Sequence, residues 1–289
     1  MDPGYPPSLR AAEFRDDGVQ QGWLTMNGPV KPLLEIRVAP NRPALDERPL
    51  QKRVGLIILA TDHTTEPDFR RMVASDRIGV YVSRIPYANP TTPENLRKMQ
   101  PTLTGAAGLI LPSEELDAIC YSCMSASVVI GDEAVASTIR DGKPGVAVVT
   151  PADASVRAFR ALGIRRISIL TPYLVETSRP VADYFAGRGF DVASVTCLGM
   201  EDDREMARIS PAALVDLAAE TTADDAEALF ISCTAVRAAG VAAEIESKIS
   251  RPLVSSNLAS AWRCLRLCGD DAARPELGRL MALGMGMGA

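Results

Sequence analysis

The sequence is short of the residues that many chemistries require. It has one histidine, His63, in 289 residues, so a centre built on two or more imidazoles is excluded and no metal is expected. No strand-like run is followed by GxGxxG, which removes the usual dinucleotide fingerprint. Lys and Arg number 31 against 36 Asp and Glu, a formal charge of −5, and nowhere gather into a stripe that could follow a phosphate backbone. Nucleic acid is therefore not an expected partner. No apolar run approaches the roughly 20 residues that cross a bilayer. The opening MDPGYPPSLRAAEFRDDG also lacks the charged-then-apolar order of a secretory signal. No membrane partner and a cytoplasmic location are expected. Six cysteines are too few and too irregularly spaced for a disulfide framework, so they are read as thiols.

What is present is the composition of a globular protein, 47% hydrophobic and 23% charged, with a length that suggests two domains at about 150 residues each. Residues 1–50 hold prolines at 3, 6, 7, 29, 32, 40, 43 and 49 without a sustained period and read as an extended N-terminal arm. GMGMG at 284–288 reads as a frayed tail. Between them, apolar β-branched runs at 53–60, 78–85, 117–122, 145–150, 165–170, 190–197, 227–232 and 251–256 alternate with helical patterns at 93–107, 124–140, 152–162, 176–188, 210–222 and 234–249. That alternation predicts an α/β fold with parallel sheets covered on both faces.

A repeat divides it. ICYSCMSAS and LFISCTAVR both run apolar strand, Ser, Cys, small residue, helix, and their cysteines are 233 − 123 = 110 residues apart. The strand ends at Leu59 and Leu170 are 170 − 59 = 111 apart, each followed by a Thr-containing loop. Two matched offsets predict a duplication into two pseudo-symmetric doubly wound parallel-sheet domains with the site in the cleft between them. The first is expected over 51–150 plus 253–289 and the second over 151–252.

Ligands of open parallel sheets bind at the carboxyl ends of the strands, where Cys123 and Cys233 stand. Two thiols facing one small acid suit inversion at carbon, one sulfur removing a proton and the other delivering one; covalent attack by one sulfur is the alternative. Helix N-termini after each cysteine would favour thiolate and would offer the N–H groups of Met124, Ser125, Ala126, Thr234, Ala235 and Val236 to a carboxylate. On this reading Cys123 or Cys233 is alkylated at pH 7 before the other four cysteines. His63, in ATDHTTE, belongs to the same rim. Cys120 falls inside a strand rather than at a helix start, so the C-x-x-C it makes with Cys123 is not read as a redox motif; Cys120, Cys197, Cys264 and Cys268 are read as packing.

At these residues the chain resembles the aspartate/glutamate racemase superfamily over about 52–280, within it the maleate isomerase and arylmalonate decarboxylase branch. Most closely it resembles the ectoine-utilisation protein A group, through LATDHTTEPDF, IPYANPTTPENL and CYSCMSASVVIG. The resemblance implies Cys123 and Cys233 as the catalytic pair, with no metal or organic cofactor and a homodimer. It also implies substrate contacts from Tyr173, from His63 and Thr64, and from the backbone after each cysteine. Where maleate isomerases have asparagines, this chain has His63 and Asp203. An anionic Asp203 would repel a dicarboxylate. The expectation is therefore a cofactor-independent racemase or isomerase of a small amino- or hydroxy-acid in ectoine or hydroxyectoine catabolism. The alternatives are an arylmalonate-type decarboxylase, a maleate-type cis–trans isomerase, or a non-catalytic binding protein of the same fold.

Overall fold

The computed structural model describes residues 37–283; the expected tail at 284–288 and residues 1–36 of the expected arm lie outside the described residues. Residues 37–46 are exposed and carry neither helix nor strand. From residue 47 the chain forms one compact unit.

The first half runs β1 (Lys52–Leu59), α1 (Thr65–Met72), β2 (Ile78–Ile85), α2 (Pro93–Arg97), α3 (Leu103–Leu109), β3 (Ala118–Tyr121), α4 (Met124–Ile130), α5 (Asp132–Gly142) and β4 (Val148–Val149), with α6 (Pro151–Ala161) leading out of it. The second runs β5 (Arg166–Thr171), α7 (Val175–Ala186), β6 (Asp191–Cys197), α8 (Asp203–Met206), α9 (Pro211–Thr221), β7 (Ala228–Ile231), α10 (Ala242–Ile249) and β8 (Leu253–Ser255), followed by α11 (Ser256–Leu267) and α12 (Arg279–Ala282). All strand pairs are parallel. The orders are β2-β1-β3-β4 and β6-β5-β7-β8, the same permutation twice, as a duplication requires. The inner strands β1, β3, β5 and β7 are buried on both faces, which is why they read as unbroken apolar runs.

The repeat is exact in its strand order but not in the spacing read from the sequence. The equivalent bonds are Ser122 N–H to Ile57 O and Ser232 N–H to Leu170 O, so Leu170 corresponds to Ile57, an offset of 170 − 57 = 113 rather than 111. β1 runs two residues past that register point, which made Leu59 look like the match. The boundary expected at 253 also moves, because β8 pairs with β7 in the second sheet. Only after Ser255 does the chain return, when α11 packs against α6, α1 and β3.

Three expected helices are interrupted. The run at 93–107 splits into α2 and α3, with a 3₁₀ segment, Gln100–Thr102, between them. The run at 124–140 breaks at Gly131, whose φ of +96° only glycine adopts without strain. The run at 234–249 begins as a turn and a 3₁₀ segment, Arg237–Val241, before α10. The second half is anchored by Phe159, Phe185, Phe190 and Phe230, with Phe185 and Phe230 edge-to-face at 4.9 Å.

Candidate active site

Both cysteines leave the sheets one residue after a strand-end serine, but their backbones then diverge. Cys123 is extended (φ −152°, ψ 108°) and caps α4, its carbonyl accepting the Ser127 N–H at 3.0 Å. Cys233 has φ +85°, a region that costs a side-chain-bearing residue about 1–3 kcal/mol unless its surroundings enforce it. The N–H groups expected after Cys233 thus belong to a tight turn and not to a helix end. The Ser125 hydroxyl lies 3.8 Å from the Cys123 sulfur; the Ala126 N–H favours the Cys123 thiolate, and the Tyr173 hydroxyl and Ala235 N–H favour that of Cys233.

Both thiols open onto one narrow cavity of about 20 Å³, room for little more than one water. A small organic acid is several times larger, so the halves or their loops must part to admit one. Leu59, Leu96 and Met206 give the wall its apolar surface; Tyr87 and Tyr173 bring hydroxyls, Asp62 and Asp203 carboxylates, and among the described residues no Lys, Arg or His lines it. Burial raises both phenols and keeps them neutral donors.

The same burial decides the state of the sulfurs. It pushes the Cys123 thiol up to about 11 and the Cys233 thiol up to about 12, with the nearby Asp203 carboxylate adding to the rise in each. The N–H and side-chain hydrogen bonds to the sulfurs oppose this and lose, because they replace only part of the hydration a thiolate gives up. The expected helix-terminus activation is therefore outweighed in the ligand-free cavity, where both groups are neutral at pH 7.

The carboxylates are held rather than loose. Asp62 accepts the N–H groups of Thr64 and Thr65 at 2.7 and 2.8 Å and the Thr65 hydroxyl at 2.6 Å, and that hydroxyl lies 3.0 Å from Ser122 Oγ. Burial raises its pKa. Asp203, 6% exposed, accepts Asn89 Nδ2 at 2.9 Å and the Thr61 hydroxyl. Beside it Thr91 N–H donates to Glu201 O at 3.0 Å and Thr177 Oγ1 to Thr91 O at 2.8 Å, tying the two halves together next to the cavity.

Of the residues singled out in the sequence, the structure brings Cys123, Met124, Ser125, Tyr173, Asp203, Cys233, Thr234 and Ala235 into the wall. Ala126 stands behind it and contributes its N–H to sulfur. Thr64 is buried behind it, its hydroxyl donating to Ala235 O at 2.6 Å. His63 is exposed and outside the wall; the loop turns its neighbour Asp62 inward instead. Asp62 is not among the residues the sequence singles out, although an Asp two residues before Thr64-Thr65-Glu66 is placed to accept the free N–H groups of a helix start, as it does here. Tyr87 and Thr91, which share a hydrogen bond of 2.6 Å, carry no local signal, since only the crossing of the 86–92 loop over the strand ends makes them wall residues. Cys120, Cys264 and Cys268 are buried in the core, as their reading as packing requires, and Cys197 is half-buried.

Two doubly wound halves that each send one cysteine into a shared, narrow cavity define an internally duplicated α/β protein with a cysteine-walled site. Residues 132–281, just over half of the chain, match the family described as arylmalonate decarboxylase, and the chain belongs to that family. It is 32% identical to the arylmalonate decarboxylase of Bordetella bronchiseptica over 139 residues, 47% of this chain and 58% of that protein's length. It is 21% identical to the maleate isomerase of Alcaligenes faecalis over 245 residues, 80% of this chain and 96% of that one. Among solved structures, a maleate cis–trans isomerase of Nocardia farcinica, a cysteine-to-serine mutant with a covalently bound succinylcysteine intermediate, superposes with a TM-score of 0.73 at 23% identity over 80% of this chain and 98% of that one.

Proposed function

We propose that this protein is an isomerase of a small carboxylic acid that needs both Cys123 and Cys233. The observation that carries this is the opening of two cysteines, from equivalent strand ends of two sheets, onto one cavity. In the form closest to the relatives, one sulfur as thiolate adds to a carbon of a cis C=C bond. The electron pair of that bond moves toward the carboxylate, and the other thiol protonates the neighbouring carbon. Rotation about the resulting single bond, return of the proton to the second sulfur and breakage of the C–S bond release the trans acid and restore the original thiolate and thiol. The succinylcysteine held by the Nocardia farcinica protein supports covalent attack as the first step. Making the thiolate from a group at about 11 costs about 5 kcal/mol at pH 7, because 11 − 7 is four pH units at 1.36 kcal/mol each. Either sulfur can make the attack, the other then supplying the proton.

A second reading, proton exchange at the α-carbon of an amino-bearing acid by the same two sulfurs, is favoured by the wall itself. Asp62 and Asp203 line the cavity and, among the described residues, no Lys, Arg or His lines it with them; Arg84, whose guanidinium donates to Asp62 O at 3.0 Å, lies outside the wall and offsets only part of the negative charge. A substrate ammonium would be attracted there and would lower both thiol pKa values, whereas a second substrate carboxylate would raise them. An ectoine-derived substrate rests on the sequence resemblance alone. Following cis–trans conversion and C–H exchange by proton NMR in D₂O, with cis-unsaturated diacids and with amino-acid analogues, separates the two. In either form Cys123→Ser and Cys233→Ser each lose on the order of 10²–10⁴ in kcat. Full turnover in one of them would point instead to a decarboxylase with a single protonating thiol.

A further inference from the structure

We propose that Asn257 and Asp68, neither of which borders the cavity, are positioning residues that hold Cys233 in its left-handed conformation. Cys233 takes φ +85° without being glycine. The turn it opens does little to hold itself, since its own backbone bond, Val236 N–H to Cys233 O, is 3.4 Å long. The restraint comes from outside. Asn257 Nδ2 donates to Thr234 O at 2.9 Å, Thr64 Oγ1 to Ala235 O at 2.6 Å, and Thr234 Oγ1 to Ser122 O at 3.3 Å. Thr64 and Ser122 belong to the first half, so the turn is fixed against the half that carries Cys123.

Asn257 is the pivot of this arrangement. It sits in the first turn of α11, 1% exposed, and its amide nitrogen also donates to Asp68 Oδ2 at 2.9 Å. Asp68 Oδ1 is in turn held by Arg71 at 2.7 Å. Both amide hydrogens are thus committed, one to the cysteine turn and one to α1, while Asn257 Oδ1 is buried with no partner. A side chain that leaves a buried carbonyl unpaired is retained for its two N–H groups. Among uncharged side chains only an amide presents two such hydrogens from one nitrogen to two acceptors; an aspartate at 257 would set like charges face to face with Asp68. The Thr234–Ala235 peptide that Asn257 grips follows Cys233 directly and carries the Ala235 N–H, which favours the Cys233 thiolate. A shift of that peptide therefore moves the thiol and its donor together.

The catalytic part of the inference rests on the two-cysteine reading, and the experiment keeps the two apart. In Asn257→Ala and in Asp68→Ala, kcat is expected to fall on the order of 10- to 100-fold while KM changes less than about threefold. In ligand-free protein the rate of Cys233 alkylation relative to Cys123, read by peptide mass spectrometry, is expected to rise. Asp68→Asn keeps an acceptor oxygen for Asn257 and is expected to return both readouts toward wild type. A merely structural role would lower Tm and leave kcat and the labelling ratio alone. Wild-type values of both in Asn257→Ala, or in Asp68→Ala should the first not fold, overturn the proposal. The labelling ratio needs no substrate, so it decides the positioning role even if no tested acid turns over.

Discussion

Alkylation of the ligand-free protein at pH 7 tests the electrostatics of the site directly. Thiolate is the reactive form, and its fraction falls tenfold for each unit by which the pKa exceeds the pH. With Cys123 at about 11 and Cys233 at about 12, that fraction is about one in ten thousand and one in a hundred thousand, against about one in a hundred for a free thiol at 9. Access works in the same direction, because a cavity of about 20 Å³ cannot admit iodoacetamide without opening. Cys197, the one cysteine of the six that is not buried, is therefore expected to react first. This reverses the order expected from helix N-termini alone. Time-resolved peptide mass spectrometry between pH 7 and 10 should show Cys123 gaining close to tenfold in rate per pH unit throughout, with no plateau. Labelling of Cys123 or Cys233 ahead of Cys197 at pH 7, or a plateau below pH 9, would refute the conclusion that burial outweighs the hydrogen bonds at the sulfurs.

Two other outcomes follow from the same groups. Asp203→Asn removes a negative charge that raises both thiols, so both alkylation profiles should move down by up to about one pH unit, and KM for ammonium-bearing acids should rise while that for diacids falls; unchanged charge preference would show that Asp203 does not address the substrate. Because the folded protein holds these two protons more tightly than the unfolded chain, their contribution to stability is complete below about pH 9 and is lost as pH rises through 11 and 12. The shifts of 11 − 9 and 12 − 9 units correspond to about 3 and 4 kcal/mol. Denaturant midpoints under reducing conditions should accordingly fall from pH 9 upward, more shallowly in Cys123→Ala, and a midpoint independent of pH there would contradict the assigned burial.

Much of the architecture was legible because it depends on short-range pattern. RVGLIILA reads as a strand covered on both faces whatever lies around it, and the strand–Ser–Cys signature marks its own repeat. Gly131, by contrast, sits in a good helical pattern and breaks it only because the chain must turn from α4 to α5 there. The 234–249 stretch has helical composition as well, yet its first residues are drawn into a turn by Thr64 and Asn257, partners 171 and 23 residues away.

The sequence by itself determined the duplicated α/β plan and the placing of one cysteine at each of two matching strand ends, since alternation and repetition are written in neighbouring residues. Only the tertiary structure decided that Asp62 rather than His63 faces the cavity, that Tyr87, Asp203 and both sulfurs share it, and that Cys233 is bent into a left-handed turn. The physical reason is that these features depend on atoms contributed by segments far apart in the chain: hydrogen bonds from Asn257, Thr64 and Ser122 hold the Cys233 turn, and desolvation at the two sulfurs outweighs the local hydrogen bonds and helix end that sequence reasoning could count.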